Sequence, residues 1–250
     1  LDSVYISALD DETAVPEVLA LVEQVKEVFD ISDKTEVTLE CNPNGLSLIY
    51  LRSFYAGGIT RLSMARANCD HLIEGFSFFD SVNVDGRLFE GAQHISRYDL
   101  REFEQFEQAR LALAMNKFFP YDRYHFCQPG AVCQYLKNVL EYRPYIGIGT
   151  QAHGRLKIDD QWLSIIDGRE TPLSEQGFLE EFLLQNFSLY PGVDGTWFEK
   201  STGRALHECF DKNQWQEWID TKQIDFVGNR THLSGEAFFT PEKIIAELKL

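Results

Sequence analysis

The sequence predicts an α/β fold: an incomplete, partial barrel of parallel strands followed by a winged-helix-like α+β domain at the C-terminal end. Three observations carry this. Short β-rich runs recur through the first hundred residues, each followed by helical or turn material. The rhythm breaks after Asp85, where only Gly86–Gln93 separates one strand-like run from the next. A parallel crossover needs roughly a dozen residues or more, so an ordinary helical crossover cannot join them and a closed eight-stranded barrel is not expected. From Ser174 the pattern changes to helices followed by a two-stranded hairpin. The expected partition is therefore 1–170 and 171–250.

Taken in order, the strands are Val4–Ile6, Glu36–Glu40, Thr60–Met64, Val82–Asp85 and His94–Tyr98. A helix is expected over Pro16–Phe29, with Val18, Leu21, Val22, Val25, Val28 and Phe29 on one face and the acidic Asp10, Asp11 and Glu12 before it. A second helix over Leu46–Tyr55 stops at Gly57-Gly58. Asp99–Lys117 is rich in helix formers, with Leu100, Phe103, Leu111 and Met115 available for burial. Pro120–Gln134 is aromatic and irregular. A helix over Ser174–Ser188, a helical pattern around Ile219, a hairpin with Ile224–Val227 and Thr231–Leu233 about Gly228-Asn229, and a last helix over Pro241–Leu250 complete the chain.

The 250 residues are 44% hydrophobic, ample for a core, and 39 acidic against 23 basic side chains give a net charge of −16. Such a surface repels nucleic acid and anionic membranes, and from Ser174 onward 13 acidic residues face 7 basic ones. A protein partner suits this acidic, aromatic region better. Five scattered cysteines form neither a disulfide framework nor a zinc pattern, so a reducing cytoplasm is expected. No apolar run is long enough to cross a bilayer as a helix. The chain opens on Leu1 rather than Met, which points to a natural segment upstream.

Few residues suggest chemistry on their own. Glu40 ends a strand before Cys41-Asn42-Pro43 and Asp85 ends another, and strand C-termini of parallel sheets are where ligand-binding side chains gather. Either carboxylate could equally be a solvated strand end. His153 closes the segment Pro144–Arg155, PYIGIGTQAHGR, whose alternating glycines after Tyr145 would let the backbone approach a flat ligand, and histidine commonly ligates heme or metals. A histidine in a turn can also be a hydrogen-bonded structural residue. No dinucleotide fingerprint, phosphate loop or nucleophile elbow is present.

Several blocks occur together in a fixed order: EVTLECNP (36–43), GGITRLSM (57–64), VNVD (82–85), HISRY (94–98), PGAVC (129–133), YIGIG and AHG within 145–154, and EEFL and GVD within 180–194. In this order they resemble the radical-SAM, oxygen-independent coproporphyrinogen III oxidase-like proteins, and within them the heme chaperone branch. The resemblance covers nearly the whole chain. It implies a radical-SAM-type partial barrel, a 4Fe-4S cluster held by three cysteines that would lie upstream of Leu1, S-adenosylmethionine as cosubstrate, and heme or porphyrin as ligand.

The family's GGGTP loop after the first strand reads Ser7-Ala8-Leu9-Asp10-Asp11 here, so side chains and two carboxylates replace the glycines that approach S-adenosylmethionine. Glu40 and Asp85 match S-adenosylmethionine positions, an expected glutamine falls at Ala67, and an arginine-bearing helix is deleted. The heme-chaperone H-N-x-x-Y-W motif reads Tyr135, Leu136, Val139 and Leu140. His153 with Tyr98, Tyr124 and Tyr145 remain as candidate porphyrin contacts. The reading is a protein of heme metabolism without radical catalysis; an active oxidase with its cluster upstream and a pure interaction module are the alternatives.

Overall fold

A parallel sheet does organise the first part of the chain. The computed structural model describes residues 1–8, 15–44, 46–64, 70–85 and 91–249, the side chains of Ala8, Asp70 and Asp85 excepted. Seven strands form one sheet in the order β1-β2-β3-β4-β5-β7-β6: β1 (Ser3–Ala8), β2 (Glu36–Cys41), β3 (Arg61–Met64), β4 (Ser81–Asp85), β5 (His94–Ser96), β6 (Phe119–Pro120) and β7 (His125–Cys127). β1 to β5 pair in parallel and in sequence order, whereas β7 pairs antiparallel with both β5 and β6. Helices α1 (Val15–Val28), α2 (Leu48–Ala56) and the single turn α3 (Ile73–Phe76) lie between successive strands. Among the described residues β1 and β6 each have one neighbour, so the sheet is open.

The short link after Asp85 behaves differently from expectation. β4 and β5 are still parallel neighbours, with Asn83 opposite His94 and Asp85 opposite Ser96. The end of the link follows β4 itself: Gln93 N–H donates to Val82 O at 3.1 Å, and its side-chain Oε1 accepts from Val82 N–H at 3.0 Å. Residues 86–90 lie outside the described part.

Strand side chains alternate between faces. One face carries Ile6, Val37, Leu39, Cys41, Leu62, Met64, Val82 and Val84, all buried in one core with Val18 and Val22 of α1, Leu51 and Phe54 of α2, and Phe76 of α3. The apolar stripe of α1 is thus narrower than the sequence suggested, since Leu21 and Val28 are exposed. Ser47 caps α2, its hydroxyl accepting from Tyr50 N–H, and Gly57 ends that helix as expected.

Helix α4 runs over Phe103–Ala114 and corrects the expected face. Leu111 and Met115 are exposed, and the buried positions are Phe106, Ala109 and Leu113, spaced three and four apart. Of the residues expected inside, Leu100 is buried and Phe103 is half-buried against Phe106, while Leu111 and Met115 lie on the opposite side from the Phe106–Ala109–Leu113 stripe. Helix α5 spans Gln134–Leu140.

A three-stranded meander, β8 (His153–Ile158), β9 (Gln161–Ile166) and β10 (Arg169–Pro172), was not expected from the sequence. Its turns are Asp159-Asp160 and Asp167-Gly168, all four at positive φ, the conformation that lets two-residue hairpins follow the strand twist. Then come α6 (Glu175–Asn186), β11 (Val193–Asp194), α7 (Gly195–Thr202), α8 (Lys212–Asp220), β12 (Ile224–Val227), β13 (Arg230–Leu233), and the short α9 (Glu236–Phe239) and α10 (Glu242–Ile245). The expected hairpin is present as β12 and β13, with β11 joining as a third strand. The last helix is one turn rather than ten residues.

The chain divides into two compact units. The first comprises Leu1–Leu100, Gln108–Pro120 and Tyr124–Tyr135; the second comprises Arg101–Glu107, Tyr121–Arg123 and Leu136–Leu250. Among the described residues no helix is long and apolar enough to cross a membrane.

Candidate functional site

The other face of the first unit's sheet is polar, and this is where Glu40 sits. In register across the strands, Ser7 lies opposite Glu40, Glu40 opposite Ser63, Ser63 opposite Asn83, and Asn83 opposite His94. One row further toward the strand starts come Tyr5, Thr38, Arg61 and Ser81. Thr38, Arg61, Ser81, Asn83, His94 and Ser96 are buried, so their polar atoms need partners from the protein itself.

They find them along the row. Ser7 Oγ donates to Glu40 Oε2 at 3.1 Å. Beside them, burial, reinforced by the Glu40 charge, pushes the Tyr5 pKa well above that of an ordinary tyrosine, so its hydroxyl stays protonated. Asn83 Nδ2 donates to Ser63 Oγ at 3.1 Å, while Asn83 Oδ1 accepts from Ser96 Oγ at 3.2 Å and meets His94 Nδ1. Burial, with the nearby Arg61 and His125, holds the His94 pKa well below the usual histidine range, so its ring is neutral at pH 7. Tyr98 OH and His125 Nε2 lie 2.9 Å apart at the far end.

The segment 128–135 covers this face. Arg61 Nη1 donates to Ser81 Oγ at 2.7 Å and to Ala131 O at 3.0 Å, Gln134 N–H donates to Glu36 Oε1 at 2.8 Å, and the Tyr135 ring stacks on Tyr5 with centroids 4.5 Å apart. Tyr135 occupies the place of the family's motif histidine and serves here as a cover for Tyr5. Of the residues singled out in sequence, Glu40 joins this network. Asp85 ends β4 opposite Ser96, but its side chain, with Leu9–Asp11 and Ala67, lies outside the described residues.

In the second unit Tyr145 pairs with Arg155 of β8 through the backbone: Tyr145 N–H donates to Arg155 O and Arg155 N–H to Tyr145 O, both at 2.8 Å. His153 opens β8 and is exposed, opposite Ile166 of β9. Ile146, Ile148 and Ile166 are exposed beside it in sequence or register. Arg155 is buried, with its guanidinium 3.4 Å from the Tyr142 ring centroid and 5.3 Å from that of Tyr145. Gly147 corrects one expectation. A Cβ there would stand 2.0 Å from His153 O, so that glycine admits the neighbouring strand's backbone rather than a flat ligand. Gly149, at φ 121 with nothing within 4 Å of a built Cβ, faces open space. Tyr98 and Tyr124, 5.9 Å apart between ring centroids, belong to the first unit.

The described residues do not fit an iron–sulfur cluster. Cys41, Cys127, Cys133 and Cys209 are buried, and no group of three or more His, Cys, Asp or Glu side chains is placed to hold a metal ion. Toward S-adenosylmethionine the described part offers the half-buried Glu40 carboxylate, whose Oε2 accepts from Ser7 Oγ at 3.1 Å. His153 offers an exposed imidazole in register with the exposed Ile166.

The sequence reading missed Tyr5, Ser63, Asn83, Ser96 and His125. Their signal was the polar residue at every second position of successive strands, Thr38/Glu40, Arg61/Ser63, Ser81/Asn83 and His94/Ser96, which marks one continuous polar face.

The solved structure titled "Coproporphyrinogen III oxidase (HemN) from Escherichia coli is a Radical SAM enzyme" is similar over 98% of this chain and 77% of that one, with a TM-score of 0.68 and 12% identity. That likeness shows the fold. Among curated proteins, the chain is similar to heme chaperone HemW of Haemophilus influenzae, 22% identical over 266 residues, covering 78% of this chain and 68% of the relative. No protein-family model matches the chain. Both comparisons return the resemblance read from the ordered sequence blocks, to the coproporphyrinogen III oxidase-like proteins and their heme chaperone branch.

Proposed function

We propose that the chain is a heme-chaperone-like protein of heme metabolism that holds heme or porphyrin and does no radical chemistry on S-adenosylmethionine. The observation that carries the binding half is His153: an exposed imidazole in register with the exposed Ile166, in a chain similar to a protein named heme chaperone. A neutral imidazole can ligate iron while Ile166 takes up apolar porphyrin surface. The half that denies catalysis is supported by the side chains that replace the glycine loop after β1. On this reading 1–170 is a retained radical-SAM scaffold, of which 136–170 pack with the second compact unit, and 171–250 is a winged-helix-like appendage, the latter supported by the β11-β13-β12 sheet with α7 and α8.

The test is a hemin titration followed by the Soret band, with wild type and His153→Ala. Wild type is expected to saturate with a histidine-ligated spectrum, and the variant to bind at least about tenfold more weakly, a loss of roughly 1.4 kcal/mol. An identical spectrum and affinity in the variant would remove His153 from the site. Indifference of wild type to hemin would refute the proposal outright.

A further inference from the structure

The second unit contains a cleft of about 250 Å³ formed by the β8–β9 turn with the start of β9, the first turn of α6 and the end of α7. It lies apart from the residues invoked for heme, and beside the rim carboxylates of Asp160, paired with Lys157 at 3.2 Å, and Glu175, its lining holds two polar side chains without a partner. Trp162 is 5% exposed, and its indole Nε1–H, fully removed from solvent, has no partner. Ser201 Oγ is likewise enclosed and unpartnered. That is unusual for a helical serine, since such hydroxyls ordinarily bond the carbonyl four residues back, as Thr202 beside it does to Phe198 O at 2.9 Å. Buried polar atoms left unpaired cost stability, and two donors on one cleft mark a place built for an acceptor.

Two further features indicate which acceptor. Helix α6 is 12 residues long and points its N-terminus at the cleft; Ser174 Oγ takes the Gly177 N–H at 3.1 Å, and the preceding amides of Glu175 and Gln176 have no acceptor within the helix. Arg204, placed just after the left-handed Gly203 that ends α7, lies on the same wall. Its guanidinium is held by Glu175 Oε1 at 2.8 Å, and that carboxylate is largely exposed. A carboxylate therefore already occupies the rim, on a side chain free to swing into water. Phe178, stacked on Trp162 with ring centroids 5.5 Å apart, supplies the apolar floor.

We propose that this cleft binds a small organic carboxylate with a flat apolar body. The carboxylate replaces Glu175 on Arg204 and accepts from Trp162 Nε1–H and Ser201 Oγ, while the body lies against Phe178. The volume is below the roughly 300–1,000 Å³ of drug-sized sites, which limits the ligand to a single ring or its equivalent.

Benzoate serves as probe, with neutral benzamide as its isostere, titrated into the full chain by calorimetry and by two-dimensional NMR of the indole N–H signals. The expected result is saturable benzoate binding that shifts the Trp162 indole signal, with benzamide at least about tenfold weaker. Ser201→Ala, a one-atom deletion that leaves the fold intact, is expected to weaken benzoate by roughly two- to tenfold, the range of one net hydrogen bond. Trp162→Phe assigns the shifted signal, and Arg204→Gln is expected to abolish the preference for benzoate over benzamide. Absence of saturable binding up to about 10 mM, equal binding of benzamide, or an unchanged affinity in Ser201→Ala would each overturn the proposal. None of these outcomes bears on hemin binding at His153, which is read at a different wavelength and with a different variant.

Discussion

Replacing Gly147 by alanine should destabilise the second unit more than any other single-methyl change in the segment 145–154. The added Cβ would stand 2.0 Å from His153 O, 2.7 Å from its carbonyl carbon and 2.9 Å from its nitrogen, all backbone atoms that no rotamer change can move. Relief requires the two chains to part by about 1 Å, which stretches the paired Tyr145–Arg155 hydrogen bonds beyond a useful length. Losing two such bonds costs about 1–3 kcal/mol net, and overpacking adds about 1–3 kcal/mol. A total of roughly 2–5 kcal/mol corresponds to a fall in Tm of about 5–15 °C for a chain of this size. Scanning calorimetry of Gly147→Ala beside Ile148→Ala is the assay, because the isoleucine is 78% exposed and its loss should change stability by under about 0.5 kcal/mol. A Gly147→Ala protein that melts with wild type would show that the two strands do not approach as described, and the account of this glycine would fall.

Other perturbations follow from the same geometry. Tyr5→Phe removes the half-buried hydroxyl whose pKa Glu40 helps to raise and should cost about 0.5–1.5 kcal/mol in denaturant unfolding; a neutral effect would mean that the hydroxyl has no stabilising partner on this face. His94 is held neutral by burial, so the unfolded chain takes up its proton first as pH falls. Stability should then be intact above about pH 6.5 and decline below it, by up to about 1.4 kcal/mol per pH unit, until the depressed folded pKa is reached. Urea midpoints from pH 7 to 5 measure this, and His94→Asn should flatten the slope. Phe106→Ala should cost about 3–5 kcal/mol, since the ring is fully buried and meets Phe238 at 5.2 Å and Tyr190 at 5.8 Å, whereas Met115→Ala should be nearly silent. The reverse ranking would restore the helix face first read from the sequence.

The parallel strands were legible because their apolar cores, Val37 to Leu39, Leu62 and Val82 to Val84, repeat with helices between them. The polar face was not, because Thr38, Arg61, Ser81 and Asn83 look like solvent-facing alternation until the 128–135 segment is known to cover them. The β8 to β10 meander could have been found from Asp159-Asp160 and Asp167-Gly168, which are hairpin turn pairs between alternating runs. The PYIGIG segment misled for a physical reason: a glycine that admits a ligand and one that admits a strand look the same in sequence, and only the 2.0 Å approach of His153 separates them. Glu40 was found by position, but its neighbours Tyr5 and Ser7 come from another strand, which no local pattern reveals.

The most direct test of the account is calorimetric titration of the intact protein with S-adenosylmethionine under anaerobic, iron- and sulfide-reconstituting conditions, with product analysis for 5′-deoxyadenosine. With side chains in place of the glycine loop after β1, no binding heat and no nucleoside product are predicted. Micromolar binding with cosubstrate cleavage would contradict the account and return the chain to the active oxidases.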